Sequence, residues 1–221
     1  KVESGKTQLV SKIRFNQGIL YLTDATPTGI ARHYAAHLGE QKIRHIVIPD
    51  LLVPLSRHKD TVSSFIAFFN ALIEEGIIEI RTQFINIPPI RLNTKCGLIT
   101  TMTDKELRDH RHRWSQIGFL SRTLPISYSY TLKTAMDILK SICLHEYYEE
   151  KPVKLDLPTE DIEVNCPLQF TEALLPYTTK LAGVGDLYGF RLQKQLQVML
   201  MGSALSVGRD IVSQSDFDKV I

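Results

Sequence analysis

The run Lys1-Val2-Glu3-Ser4-Gly5-Lys6-Thr7 matches the phosphate-loop pattern G-x-x-x-x-G-K-[ST] and lacks only its leading glycine. A loop of this kind constrains the fold around it. Its backbone N–H groups have to converge on an anion, and the chain has to leave as a helix whose N-terminus faces the same anion. Gln8-Leu9-Val10-Ser11-Lys12-Ile13 has neither Gly nor Pro and sets Leu9, Val10 and Ile13 on one face, so a helix is predicted there. Lys6 is then the residue to reach the terminal phosphates of a nucleotide. The Thr7 hydroxyl is the Mg2+ ligand, and Glu3, Ser4, Gly5 and Gln8 complete the binding loop. Ser-Gly-Lys-Thr also occurs in ordinary turns, so the rest of the chain has to discriminate.

Downstream, short apolar runs alternate with helical patterns. Ile19-Leu20-Tyr21-Leu22-Thr23 reads as a buried strand closed by turn residues, Ile30 to Leu38 as a helix, and Ile43 to Ile48 as a second buried strand ending at Pro49-Asp50. Thr61 to Glu75 is predicted to be a long helix whose Phe65, Phe68, Phe69, Leu72 and Ile73 face the core. Ile78 to Thr82 and Ile90 to Asn93 alternate in the manner of an exposed hairpin split by Pro88-Pro89, and Cys96 to Thr101 returns to a buried strand. Asp104 to Trp114 reads as a charged helix, Leu124 to Tyr130 as strand-like, and Leu132 to Tyr148 as helical. Strands separated by helices imply a parallel α/β sheet. The acidic, proline-bearing stretch 149–167 is expected to link a core of residues 1–148 to a helical region over 168–221.

A net charge of +2 over 221 residues excludes a globally basic nucleic-acid binder and confines any polyanion contact to a local stripe. Cys96, Cys143 and Cys166 are scattered and odd in number, which argues against a disulfide framework and fits a reducing, cytoplasmic setting. With no apolar run of about 18 residues, no membrane span is expected. The two imidazoles of His110-Arg111-His112 would diverge by about 200° on a helix, so a metal pair is not expected there, and an interface role suits this basic helix better.

In order and spacing, these parts resemble an AAA+ ATPase, and the resemblance runs over nearly the whole chain. The branch it is most similar to bears a hairpin and includes MCM helicases and enhancer-binding ATPases, through Leu72-Ile73-Glu74-Glu75-Gly76 followed by Ile78-Glu79-Ile80-Arg81. The resemblance implies an AAA+ parallel-sheet core followed by a small helical lid. ATP and Mg2+ are the implied cofactors, with Asp50 as the acid that ends the second strand. A polar sensor falls on Thr101 or Thr103. Arg122, within Leu120-Ser121-Arg122, is implied as a finger reaching the neighbouring subunit's site, and Arg191, within Gly189-Phe190-Arg191, as a second sensor on the lid. It further implies a ring or helical homo-oligomer acting on nucleic acid, with DNA and other protein subunits as partners. Arg81, Arg91 and Lys95 would then lie on the hairpin, where they either track a polyanion backbone or serve as a solvated edge.

The chain departs from the family pattern in two places. Leu51 follows Asp50 where active members carry a glutamate that activates water, leaving Asp24, Glu74 or Glu75 as substitutes. The alternative is a subunit that binds ATP and assembles on it with little hydrolysis. A strand is also expected ahead of the loop, so a longer natural protein is expected.

Overall fold

The computed structural model describes residues 4–77, 80–82, 85–87, 95–145, 152–155, 162–184 and 188–221. The chain divides into two compact units, Lys1–Leu155 and Asp156–Ile221.

In the first unit, helix α1 (Lys6–Ser11) leads to strand β1 (Ile19–Tyr21), helix α2 (Pro27–Gly39) and strand β2 (His45–Ile48). Helix α2 starts where it does because the Thr26 hydroxyl accepts the Gly29 N–H at 3.0 Å while Pro27 presets the first helical φ. A short helix α3 (Leu52–Leu55) and the longer α4 (Lys59–Asn70) follow. Where the sequence predicts one continuous helix to Glu75, α4 passes into a π-helical turn, Ala71–Glu75, which Gly76 closes at φ +82°. The chain then forms strands β3 (Ile80–Thr82), β4 (Ile85–Ile87) and β5 (Gly97–Thr100), helix α5 (Asp104–Gln116), a 3-10 turn at Leu120–Arg122 and helix α6 (Leu132–Cys143).

Strands β1, β2 and β5 form a parallel sheet in that order, with Leu20 opposite Ile46 and Ile46 opposite Leu98. Strand β2 lies in the middle, and Ile46, Val47 and Ile48 are fully buried, as a parallel strand covered on both faces requires. Phe65, Phe69 and Leu72 join Ile46, Ile48 and Leu51 in one apolar cluster, with Phe68 and Ile73 packed at its edge. The aromatic stripe of α4 is therefore core.

Two expectations need correction. The arm that pairs with β3 is Ile85–Ile87, ahead of Pro88 rather than beyond it, with Thr82 opposite Ile85. Proline has no N–H to offer a ladder, which suits the run ahead of Pro88-Pro89 to this pairing. The expected arm at 90–93 lies outside the described residues. Leu124 to Tyr130 joins no strand, and instead forms an irregular tether that begins just after Arg122 and reaches the Ser4 carbonyl through Tyr128 and Tyr130. Helix α6 buries none of its residues.

The second unit is helical: α7 (Leu168–Ala173), α8 (Leu175–Val184), α9 (Phe190–Leu205) and α10 (Gln214–Val220). Phe170, Leu174, Leu196, Leu200, Ala204 and Val212 form its core. Gly189 is doubly required at the start of α9. Its φ is +83°, and a Cβ there would meet Thr178 Cγ2 at 2.9 Å. The buried Thr178 hydroxyl is satisfied by donating to Gln193 Oε1 at 2.6 Å, and Gln193 Nε2 donates to the Thr171 carbonyl at 2.8 Å. Among the described residues, no helix is long and apolar enough to cross a membrane.

Candidate functional site

The loop residues form a tight entry into α1. Gly5 has φ +72° and leads straight into the helix, so Lys6, Thr7 and Gln8 occupy its first turn. Any other residue at position 5 would be strained by the left-handed backbone, although there is room for a Cβ, whose nearest neighbours would be 3.6 Å away. Buried Val10 anchors the short helix to the unit. Lys6 Nζ donates to Ser4 Oγ at 3.3 Å, while Thr7 and Gln8 are exposed. Glu3 lies outside the described residues.

Asp24, Asp50 and Thr101 follow the carboxyl ends of β1, β2 and β5, the edge at which ligands bind in open parallel sheets. Two of them are brought together. The Thr101 hydroxyl donates to the Pro49 carbonyl at 2.5 Å and the Leu51 N–H donates to the Thr101 carbonyl at 3.0 Å, which clamps the turn carrying Asp50 against the end of β5. Asp50 Oδ1 accepts the Leu52 N–H at 3.0 Å. Its other carboxylate oxygen has no hydrogen-bond partner among the described residues. Thr103, the alternative sensor position, is occupied differently. Its hydroxyl accepts the Glu106 N–H at 3.3 Å and Glu106 Oε2 accepts the Thr103 N–H at 2.7 Å, a capping box that starts α5.

The substitute bases are all committed elsewhere. Asp24 accepts the Ala25 N–H at 2.8 Å and pairs with Arg57, at the wall of a cavity of about 290 Å³ that Leu22, Thr26, Ile30 and Tyr34 also line. Glu74 meets Arg122 Nε at 2.6 Å as an ion pair whose angles lie outside those of a hydrogen bond, and Glu75 lies 3.6 Å from the same guanidinium. Arg122 also donates to the Gly118 carbonyl at 2.9 Å, and only 12% of its side chain is exposed. The implied finger is therefore paired within its own chain. Removing it should weaken the first unit. Because Glu74 is 37% exposed, solvent takes up part of the orphaned charge, so Arg122→Ala should cost about 1–2 kcal/mol rather than the larger loss of a fully buried pair. Urea unfolding followed by the fluorescence of the single tryptophan, Trp114, which is buried against Phe119, measures this directly. An unchanged midpoint would show that the pair holds nothing.

The remaining expected site residues are dispersed. Arg191 belongs to the second unit, where it is exposed in the first turn of α9. Arg81 is the middle residue of β3, Lys95 is exposed just before β5, and Arg91 lies outside the described residues. His110 stacks on Trp114 with ring centroids 5.0 Å apart. Among the described residues, no group of three or more His, Cys, Asp or Glu side chains could hold a metal ion.

Sequence reasoning missed Tyr128 and Tyr130, whose hydroxyls donate to the Ser4 carbonyl at 2.7 and 2.8 Å. The signal was present in the Tyr-Ser-Tyr alternation, since extended residues two apart face the same side. Arg57 was also missed, and nothing in its sequence neighbourhood marks it as the partner of Asp24.

No protein-family model matches the chain, and no curated protein matches it.

Proposed function

We propose that the chain is an AAA+-type subunit that binds ATP with Mg2+ at Ser4–Thr7 and Asp50, assembles with further copies of itself, and hydrolyses nucleotide slowly. The donor set fits such a ligand. A left-handed glycine opening onto a helix supplies N–H groups to an anion, Lys6 adds charge for the terminal phosphates, and Thr7 with the second oxygen of Asp50 provides the hard oxygen ligands that Mg2+ takes. Glu3 and Gln8 flank the loop in sequence, and Thr101 steadies the Asp50 turn.

The observation that carries slow turnover is Leu51. It is fully buried directly after Asp50, while Asp24, Glu74 and Glu75 face arginines. Among the described residues, each of the three substitute carboxylates is thus paired with a guanidinium rather than held ready to accept a proton from water. An Arg122 that acts in trans must first leave Glu74, so assembly and release of this pair would be coupled.

The antiparallel β3–β4 pair, inserted between the π-turn and β5, favours a second reading, in which the ring is an ATP-driven motor on DNA and Arg81, Arg91 and Lys95 contact the polyanion. Mass photometry and phosphate release with Mg·ATP separate the two. For the assembling subunit we expect larger oligomers with ATP and turnover far below the ~10 s⁻¹ typical of enzymes, and Lys6→Ala should lose both. DNA-stimulated phosphate release, abolished by Lys6→Ala, would overturn slow turnover in favour of the motor. Oligomers indifferent to ATP would remove the nucleotide reading itself.

A further inference from the structure

Two phenols converge on one carbonyl at the start of the loop, and the loop's own geometry does not require it. Ser4 O accepts from Tyr128 at 2.7 Å and from Tyr130 at 2.8 Å, which uses both lone pairs of that oxygen. The rings sit 5.8 Å apart with their planes 60° apart, so the hydroxyls approach from two directions and fix the orientation of the peptide plane. Among the described residues there are no cis peptides, and across a trans peptide the C=O and the following N–H point opposite ways. Holding the Ser4 carbonyl toward the tyrosines therefore turns the Gly5 N–H to the other side of the loop. Were the peptide to flip, a carbonyl dipole would replace that N–H and repel an anion.

We propose that Tyr128 and Tyr130 are positioning residues that preset the Ser4–Gly5 peptide for a phosphate. This rests on the nucleotide reading of the loop and deepens it by naming what holds the loop in its binding form. Neither tyrosine touches the ligand, and both act through the peptide. The tether that carries them begins after Arg122 and ends at Thr131, whose hydroxyl accepts the Thr134 N–H at 3.1 Å to cap α6. The loop is thus fastened to a segment that follows directly on the Arg122 turn in the chain.

The test uses the full chain and its Tyr128→Phe/Tyr130→Phe double variant, which keeps both rings and removes both hydroxyls. Binding of Mg·ATP, and of inorganic tripolyphosphate as a probe that touches only the loop, is read by calorimetry. Stability is read by urea unfolding through Trp114. The double variant should bind both ligands about tenfold more weakly, the effect of losing two modest hydrogen bonds that bias a peptide orientation. Each single variant should lose less, because one phenol still holds the carbonyl, and the urea midpoint should barely move. Unchanged tripolyphosphate affinity in the double variant overturns the clamp while leaving the site standing. A loss of affinity matched by a collapse of the urea midpoint assigns the tyrosines a structural role and likewise overturns it. Failure of the unaltered chain to bind either ligand removes the site and the clamp together.

Discussion

Asp216→Ala should leave the second unit close to unfolded, with a loss of about 3 kcal/mol or more. Asp216 is fully buried at the start of α10. Its carboxylate accepts from Arg209 Nη1 and Nη2 at 2.8 Å each, from Ser203 Oγ at 2.7 Å, and from the Ser213 N–H and hydroxyl at 2.9 and 3.0 Å. One side chain thus ties α9, the following loop and the cap of α10 together. Alanine would leave a guanidinium and several donors facing a void. A unit this short has little stability to lose, because small domains bury a smaller share of their surface. Thermal unfolding followed by far-UV circular dichroism should show the helices of this unit melting well below those of the unaltered chain. Arg209→Lys should also lower the transition, since an ammonium cannot reproduce the two-pronged contact. A double variant no worse than Asp216→Ala alone is expected, as both substitutions break one pair. An unchanged melt for Asp216→Ala would refute this account of the unit.

The same network sets an acid limit. The Arg209 guanidinium beside Asp216 holds its carboxyl well below the ordinary carboxylate range, and hydrogen bonds from Ser213 and Ser203 add to this against the cost of burial. A depressed folded pKa means the unfolded chain takes up the proton first. The pair's contribution is therefore complete above the unfolded carboxylate value of about 3.9 and is lost progressively as pH falls below it toward the folded value. The second unit should accordingly unfold in acid below about pH 4. Asp216→Asn should be less stable at neutral pH but should show a much flatter response over that acid range.

Local patterns carried much of the fold. Strands β1, β2 and β5 were legible because each is a short apolar run cut off by turn residues, and the core face of α4 because its aromatics repeat at the helical period. The capping box at Ser213 and Asp216 was readable from its spacing, yet Arg209, which makes Asp216 a buried ion pair, was not. The pairing of Ile85–Ile87 with β3 was not anticipated, because alternation alone does not say which alternating runs pair, and only the missing donors of Pro88-Pro89 favour the run ahead of them. Arg122 is the clearest limit on reading a site from sequence. Its place in Leu-Ser-Arg suggested a cation offered to a neighbour, and nothing in that motif announced its pairing with Glu74, which lies far away in the chain and is presented by a π-helical turn that no periodicity marks. Tyr128 and Tyr130 were hidden for a similar reason. Alternation marked a face, but what that face would meet, the Ser4 carbonyl more than a hundred residues earlier, depended on the tertiary fold.

The second large effect concerns the position after Asp50. Restoring the glutamate that the family resemblance calls for, by Leu51→Glu, should destroy the first unit rather than create a catalyst. Leu51 is fully buried and packs in the cluster of Ile46, Ile48, Phe65 and Phe69. Its backbone cannot turn outward, because its N–H donates to the Thr101 carbonyl at 3.0 Å and its carbonyl accepts the Leu55 N–H at 3.3 Å. A glutamate would enter the core, where it must stay protonated or remain an unpaired charge, at a cost of about 4 kcal/mol or more. That is comparable to the 5–15 kcal/mol that holds a typical domain together. Urea unfolding read through Trp114 should show the cooperative transition shifted to low denaturant or gone, while Leu51→Met, which conserves volume, should cost less than about 1.5 kcal/mol. Phosphate release should not rise in either variant. A Leu51→Glu chain that unfolds at the original midpoint and hydrolyses ATP faster would mean that residue 51 faces the nucleotide, and slow turnover would then reflect the missing carboxylate alone rather than the packing of the turn that carries Asp50.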